Sequence, residues 1–256
     1  MDIHKPKAAH SIREFLIEIG TIVCGILIAL GLEQAVEAIH WSHKVEDAEA
    51  RLTQELVALD SYAFERDQVG ACLDKRLADM TTKLLGGSGR WTPLPPMESL
   101  NIGHVAYFAP HRQWQDTVWK GVGTDGTAGH LPAVLQQRYG FLYAKTAQIV
   151  AWDNDEFVDV GALNVLNYQT EIPAAQRIEF AARIEQERRR NKIVTLLSRQ
   201  TMVLTERFGA HDKAGEMDFL LGASNVYRAC YKLGMLPPGS PEPRTPSDPV
   251  TMGLIR

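Results

Sequence analysis

The sequence predicts an all-α fold: an N-terminal transmembrane helix that continues into an extramembrane antiparallel helical bundle. Three observations predict it. Ile19 to Leu32 (IGTIVCGILIALGL) is an uncharged apolar run, and no proline occurs from Ile12 to Gln68. Apolar residues further along recur at helical spacing, and only Val105 to Phe108 hints at the period-2 alternation of a strand. Four segments follow: residues 1–10 as a cytoplasmic N-terminus, 11–41 as the transmembrane helix, 42–236 as the bundle, and 237–256 as a proline-rich tail.

Counting Glu18 as tolerated near its end, the apolar stretch extends from Phe15 to Leu32. At the rise of an α-helix this reaches roughly 27 Å, slightly less than a hydrocarbon core of about 30 Å. Snorkelling flanks or local thinning close such a gap, and Trp41 is placed as the far interfacial aromatic. A cleaved signal peptide with Ala29-Leu30-Gly31 at its end is the rival reading. Glu18 interrupts its apolar region, however, and retention as an anchor is favoured. A buried helix of a soluble protein is disfavoured by Gly20, Gly25 and Gly31, costly in soluble helices and commoner in membrane ones.

Lys5, Lys7 and Arg13 precede the span, whereas Lys44 and Arg51 are the basic residues just after it. This bias places the N-terminus in the cytoplasm and the main domain in the periplasm of a bacterial inner membrane. Thr21, Gly25 and Ala29 recur every four residues and form a small-residue stripe on which another helix can approach closely.

Ser11 and Glu14 make a capping box for the first helix. Beyond the span, Val45, Leu52 and Leu59, with Ala48, Leu56 and Tyr62, form an amphipathic face. Gly70 ends or kinks this helix, and Gly86 to Gly89 stop it. Residues 86–96 are a connection, Met97 to Pro110 have no clear pattern, and His111 to Lys120 form a short helical piece followed by a loop. Pro132 and Pro173 each open a long helix, and a last helix is expected from about Glu216 to Leu233. Six prolines lie between Pro237 and Pro249, which exclude helix or central strand and predict a disordered or extended tail.

The 256 residues are 45% hydrophobic and 23% charged with a net charge of −4, ordinary for one folded domain and no reason to expect nucleic acid. The basic run Arg188-Arg189-Arg190 with Lys192 is read as a solvated helix face. Cys24 lies in the span. Cys72 and Cys230 lie outside it, and an oxidising compartment makes them a candidate disulfide; two separate buried thiols are the alternative.

The string FLIEIGTIVCGILIAL, opening the stretch from Phe15 to Leu32, resembles the N-termini of a group of bacterial single-pass membrane proteins that carry a domain of unknown function. Those read much like F-L-x-E-x-x-x-I-x-x-G-I-L-I-A-L. Trp114 to Tyr143 is similar to the same group's helix, glycine turn and helix, through Trp114, Gly121 to Gly123, Leu131, Tyr139 and Tyr143. The group carries asparagine and tryptophan just after the anchor, where Glu33, Gln34 and Ala35 stand here. The resemblance implies a helical, membrane-anchored protein and supplies no activity, cofactor or site residues.

Gly121 to Gly126 matches G-x-G-x-x-G, but a dinucleotide site needs an entering strand and a later acid, and a turn between helices fits better. Glu37, His40 and His43 have metal-ligand spacing, but a di-iron bundle needs a second copy of the motif. Asp153, Asp155, Glu156 and Asp159 lack a calcium loop and are read as a solvated helix face. Ser224 lacks a nucleophile elbow and is read as a helix residue. The function expected is therefore a non-enzymatic, membrane-anchored interaction or accessory subunit, without cofactor or metal, partnered by the lipid bilayer and by a homo-oligomer or membrane complex. The runner-up is a periplasmic ligand-sensing or small-molecule-binding bundle with Trp114, Trp119, Trp152 and Tyr143 as pocket linings.

Overall fold

A computed structural model describes residues 12–87, 89–99 and 103–244. The capping serine, residues 1–11 as a whole, and the tail beyond 244 lie outside the described residues. One helix, α1, runs unbroken from Ile12 to Gly86, about 110 Å at 1.5 Å per residue. Every residue from Ile12 to His40 is exposed, and burial begins at Ala48. The first part of α1 contains a segment long and apolar enough to cross a membrane. The second part is the central core helix.

Two further long helices pack against α1, after a short α2 (Thr117–Thr124): α3 (Ala133–Ala162) and α4 (Ala174–Glu206). Contacts from α1 to α4 run in opposite senses, from Leu84 with Arg177, through Asp74 with Arg188, to Asp60 with Thr205. Those from α1 to α3 run in the same sense, Glu55 with Tyr143 and Arg66 with Glu156. The bundle is thus an antiparallel three-helix core, with α5 (Lys213–Ala223) and α6 (Asn225–Lys232) laid against α1. Arg177 closes the far end of α1 by donating to the carbonyls of Leu84 (3.2 Å) and Gly87 (2.8 Å), which supplies partners for helix-end acceptors.

The apolar residues form two clusters. One, around Ala48, Leu52, Leu56, Leu59, Tyr139 and Leu142, lies nearer the exposed part of α1. The other, around Leu73, Leu77, Met80, Leu84, Trp91 and Tyr227, lies at the far end. Glu65 and Arg66, both buried, sit on α1 between them.

Several expectations are corrected. Gly70 neither ends nor kinks α1. A Cβ there would sit 2.5 Å from Thr195 Oγ1, so the glycine is a point of close approach between α1 and α4. The connection after α1 contains strands: β1 (Arg90–Trp91) pairs antiparallel with β4 (Thr170–Glu171), and β2 (Met97–Ser99) with β3 (Gly103–Val105). Two or three residues are too few for alternation to register. The helix expected from His111 to Lys120 begins only at Thr117 and runs to Thr124. The expected last helix is divided: Ser224 ends α5 and caps α6, its hydroxyl accepting from Tyr227 N at 3.0 Å. Pro237 to Arg244 lie along this pair, Tyr227 donating to Pro241 O (2.8 Å) and Arg244 N to Leu221 O (3.0 Å).

Because adding a methyl group at Gly70 forces Thr195 to move, Gly70→Ala should lower unfolding stability by about 1 kcal/mol despite better helix propensity. In a Thr195→Ala background the same change should become neutral or stabilising. Denaturant unfolding of the full chain in detergent, followed by circular dichroism, checks both signs.

Candidate functional site

The stripe expected in the apolar half of α1 lies on an exposed helix face. Thr21 turns its hydroxyl back to Ile17 O (2.9 Å), and the space a Cβ would occupy at Gly25 is open to 4 Å. Thr21, Gly25 and Ala29 are all exposed, so no described residue of this chain covers them. Cys24, also exposed, is a free thiol beside the stripe. Cys72 on α1 and Cys230 on α6 are buried and joined by a disulfide, with their Cα atoms 6.1 Å apart and their positions 158 apart in sequence.

Where α1 enters the bundle, a collar surrounds it. Trp41 stacks on His130, ring centroids 3.8 Å apart and planes 13° from parallel. Lys44 reaches Asp125 Oδ2 at 3.4 Å and lies over the Trp41 ring. The nearby Thr127 hydroxyl and the Thr127 backbone N–H, which donates to Asp125 Oδ1 at 3.0 Å, hold the Asp125 carboxyl down at about 2, helped by Lys44. Of these, Asp125 lies in the G-x-G-x-x-G segment, and Thr127 and His130 follow it directly. Gly121 and Gly123 lie inside α2, and Gly126 turns the chain at φ +83°. The segment is entered from helix and grips α1, as a turn between helices would. Glu37 accepts from Trp41 Nε1 at 3.4 Å and His40 packs edge-on to the same ring; Glu37, His40 and His43 are exposed.

Between the two apolar clusters lies a buried polar layer. Arg66, 1% exposed, donates to Glu156 (2.5 Å) and Asn191 (3.1 Å), and Asn191 donates to Gly70 O (2.9 Å). Arg112 forks onto both oxygens of buried Glu65 at 2.6 and 2.7 Å. Arg190 bonds Glu187 (2.8 Å) and Asp159. Burial by itself would weaken the charge on Arg66, but the Glu156 carboxylate reverses this and the net shift is upward. Glu187 is pushed up to about 9 by burial and then by Glu156. A proton kept on Glu187 is then available to bridge Glu187 and Glu156, each of which otherwise has an oxygen without a partner. Two readings from the sequence are corrected here. Asp153 and Glu156 are buried, as is Arg190, so neither the acidic run nor the basic run is simply a solvated face. Each run supplies charges that answer the other, a match invisible when each is taken alone.

Beside this layer a cavity of about 220 Å³ is lined by Phe108, His111, Arg112, Asp153, Phe157 and Val226, among others. His111 Nδ1 lies 2.8 Å from Asp153 Oδ2, and burial raises the Asp153 carboxyl to about 6 against the lowering effect of His111. The aromatics expected to line a pocket are elsewhere: Trp114, Trp119, Trp152 and Tyr143 belong to the cluster nearer the collar, with Trp119 stacked on Tyr139 and Tyr143. They fill core.

A third group was missed in the sequence because its members are far apart along the chain. Asp60 on α1, His211 in the loop after α4, and Glu216 on α5 converge at the side of the bundle. Nδ1 of His211 is 2.8 Å from Asp60 Oδ2 and 2.7 Å from Glu216 Oε1. Burial and Asp60 raise the Glu216 carboxyl to about 7. The hydrogen bond to Asp60 raises the His211 imidazole against burial.

Comparison with models of protein families, with curated proteins and with solved structures finds no match for this chain. Function is therefore argued from these sites themselves.

Glu187 gives a pH signature. Its pKa is raised in the folded state, so the folded chain holds an extra proton between the ordinary carboxyl value of 4.5 and about 9. Stability should therefore fall as pH rises across that window and level off above it. Glu187→Gln, which keeps a donor in place, should flatten this fall; unfolding curves of both proteins between pH 5 and pH 9 check it.

Proposed function

We propose that the protein is a non-enzymatic, membrane-anchored interaction or accessory subunit. In this reading residues 11–41 cross the bacterial inner membrane with the N-terminus in the cytoplasm. The bundle stands in the periplasm, and the span packs on a second copy or on another subunit of a membrane complex. One observation carries the reading: the exposed apolar half of α1 and the core helix of the bundle are a single uninterrupted helix. Whatever grips the span thereby sets the position of the bundle, with no flexible linker to lose the information. The collar at Trp41 and Lys44 stiffens that junction.

The small-residue stripe supports helix packing within the membrane, since interfaces there form by close backbone approach rather than by apolar burial. The Lys/Arg bias supports the orientation, and the Cys72 to Cys230 disulfide supports an oxidising compartment for the bundle. The resemblance of the N-terminal string to bacterial single-pass proteins points the same way.

The cavity beside His111 and Asp153 favours the runner-up, a small-molecule-binding bundle. Its 220 Å³ falls below the roughly 300–1,000 Å³ of ordinary ligand pockets, which ranks it second.

The test is purification of the full chain in mild detergent with identification of what accompanies it, together with oxidative cross-linking through Cys24. A cross-linked dimer, or a copurifying membrane subunit, is the expected result, and Gly25→Leu should reduce it several-fold. A lone monomer with no cross-link and no companion removes the reading. Unreduced, unfolded protein should expose one thiol per chain, against three after reduction; three before reduction would remove the compartment argument.

A further inference from the structure

Asp60, His211 and Glu216 are brought together by three separate parts of the chain, in a place neither the anchor nor the polar layer uses. Asp60 is fully buried and Glu216 is 1% exposed, while the His211 side chain keeps 19% of its surface, so the group opens to solvent on the histidine side. One ligand atom from each lies within 4.8 Å of the other two. A ring nitrogen can offer one proton, yet His211 Nδ1 faces two carboxylate oxygens at 2.7 and 2.8 Å. Asp60 has its other oxygen engaged by the Thr205 hydroxyl. Glu216 has no such support: its Oε2 is buried without a hydrogen-bond partner, an arrangement that costs free energy unless something else satisfies it.

We propose that Asp60, His211 and Glu216 form a binding site for a divalent transition-metal ion, with His211 Nδ1 and the two carboxylates as ligands. A divalent ion neutralises the two carboxylates and gives Glu216 the partner it lacks. One imidazole with two carboxylates and no thiolate suits zinc, manganese or ferrous iron better than calcium or magnesium, which take oxygen-only shells. Ligand bonds of about 2.0–2.2 Å place neighbouring donor atoms about 3 Å apart, so the 2.7 and 2.8 Å spacings from His211 Nδ1 to the two carboxylates need little adjustment. Thr205 would orient Asp60 from behind, as groups hydrogen-bonded to metal ligands do. The loop is held as well: Asp212 caps α5 by accepting from Gly215 N at 3.1 Å, and Gly209 turns the chain at φ +70°. Three protein ligands leave a coordination position on the exposed side of His211. The ion would clamp α5, and through it the neighbouring α6, onto α1.

The full chain, purified in detergent and stripped with chelator, is titrated with Zn²⁺ and with Mn²⁺ by calorimetry, and its thermal unfolding is followed with each ion. One ion per chain and a rise in the unfolding temperature are expected. Both should be lost, or affinity weakened at least tenfold, in Glu216→Gln and in His211→Ala. A double variant His40→Ala and His43→Ala should keep both, which separates this site from the histidines near the span. Circular dichroism of the stripped variants establishes that they fold, and Glu216→Gln retains shape should His211→Ala fail. Absence of binding by both ions, or binding that survives Glu216→Gln unchanged, overturns the proposal.

Discussion

A helix that leaves the bundle without a break must satisfy two surroundings with one backbone geometry. α1 does so by changing what its side chains are rather than where its backbone goes. From Ile12 to His40 every residue faces outward, and nothing in the described chain covers the apolar ones. From Ala48 onward the inward positions repeat at the helical period and bury against α4, α5 and α6, and meet α3 through Glu55 with Tyr143 and Arg66 with Glu156. No proline or capping glycine separates the two regimes, so the helix transmits orientation as a rod. The rest of the structure is fitted to that rod: α3 lies along it, α4 returns beside it, and the segment from Asp125 to His130 closes around it where exposure gives way to burial.

Register along the rod is fixed by charge. Apolar side chains alone permit a helix to slide by a turn at modest cost, whereas displacing Arg66 from Glu156 and Asn191 leaves ions buried without partners. Breaking such a pair costs about 3–5 kcal/mol, although the pair itself contributes little net stability because desolvation opposes it. The layer of Arg66, Arg112, Arg190, Glu65, Glu156 and Glu187 therefore acts as a key that selects one axial arrangement of α1, α3 and α4. The close approach at Gly70 and Thr195 is one consequence, since only the correct register places the glycine opposite that side chain. The disulfide between Cys72 and Cys230 fastens α6 to the same rod just beyond the layer.

The all-helical class, the apolar stretch and the stop of the first helix at Gly86 to Gly89 were legible in the sequence, because apolar run length, helical period and glycine runs are local properties. That α1 passes Gly70 unbroken was not, because the glycine's role depends on Thr195 of α4. The small strands were not: Arg90 and Trp91 pair with residues about eighty positions away, and two residues carry no period. The division of the last helix at Ser224 was missed because serine serves as cap or interior residue depending on what its hydroxyl can reach. In sequence, Asp153, Glu156 and Arg190 read as solvated residues because charged side chains usually are. Their burial depends on partners from other helices.

By itself, then, the sequence determined the helical class and the long helical stretches, which of them is apolar enough for a membrane, and which two cysteines lie outside it. Those features follow from each segment's own composition and spacing. Only the tertiary structure decided that Arg66 meets Glu156, that the glycine segment grips Trp41, and that Asp60, His211 and Glu216 converge. Each joins residues tens of positions or more apart, and their free energy depends on burial and distance, quantities that exist only once the helices have packed.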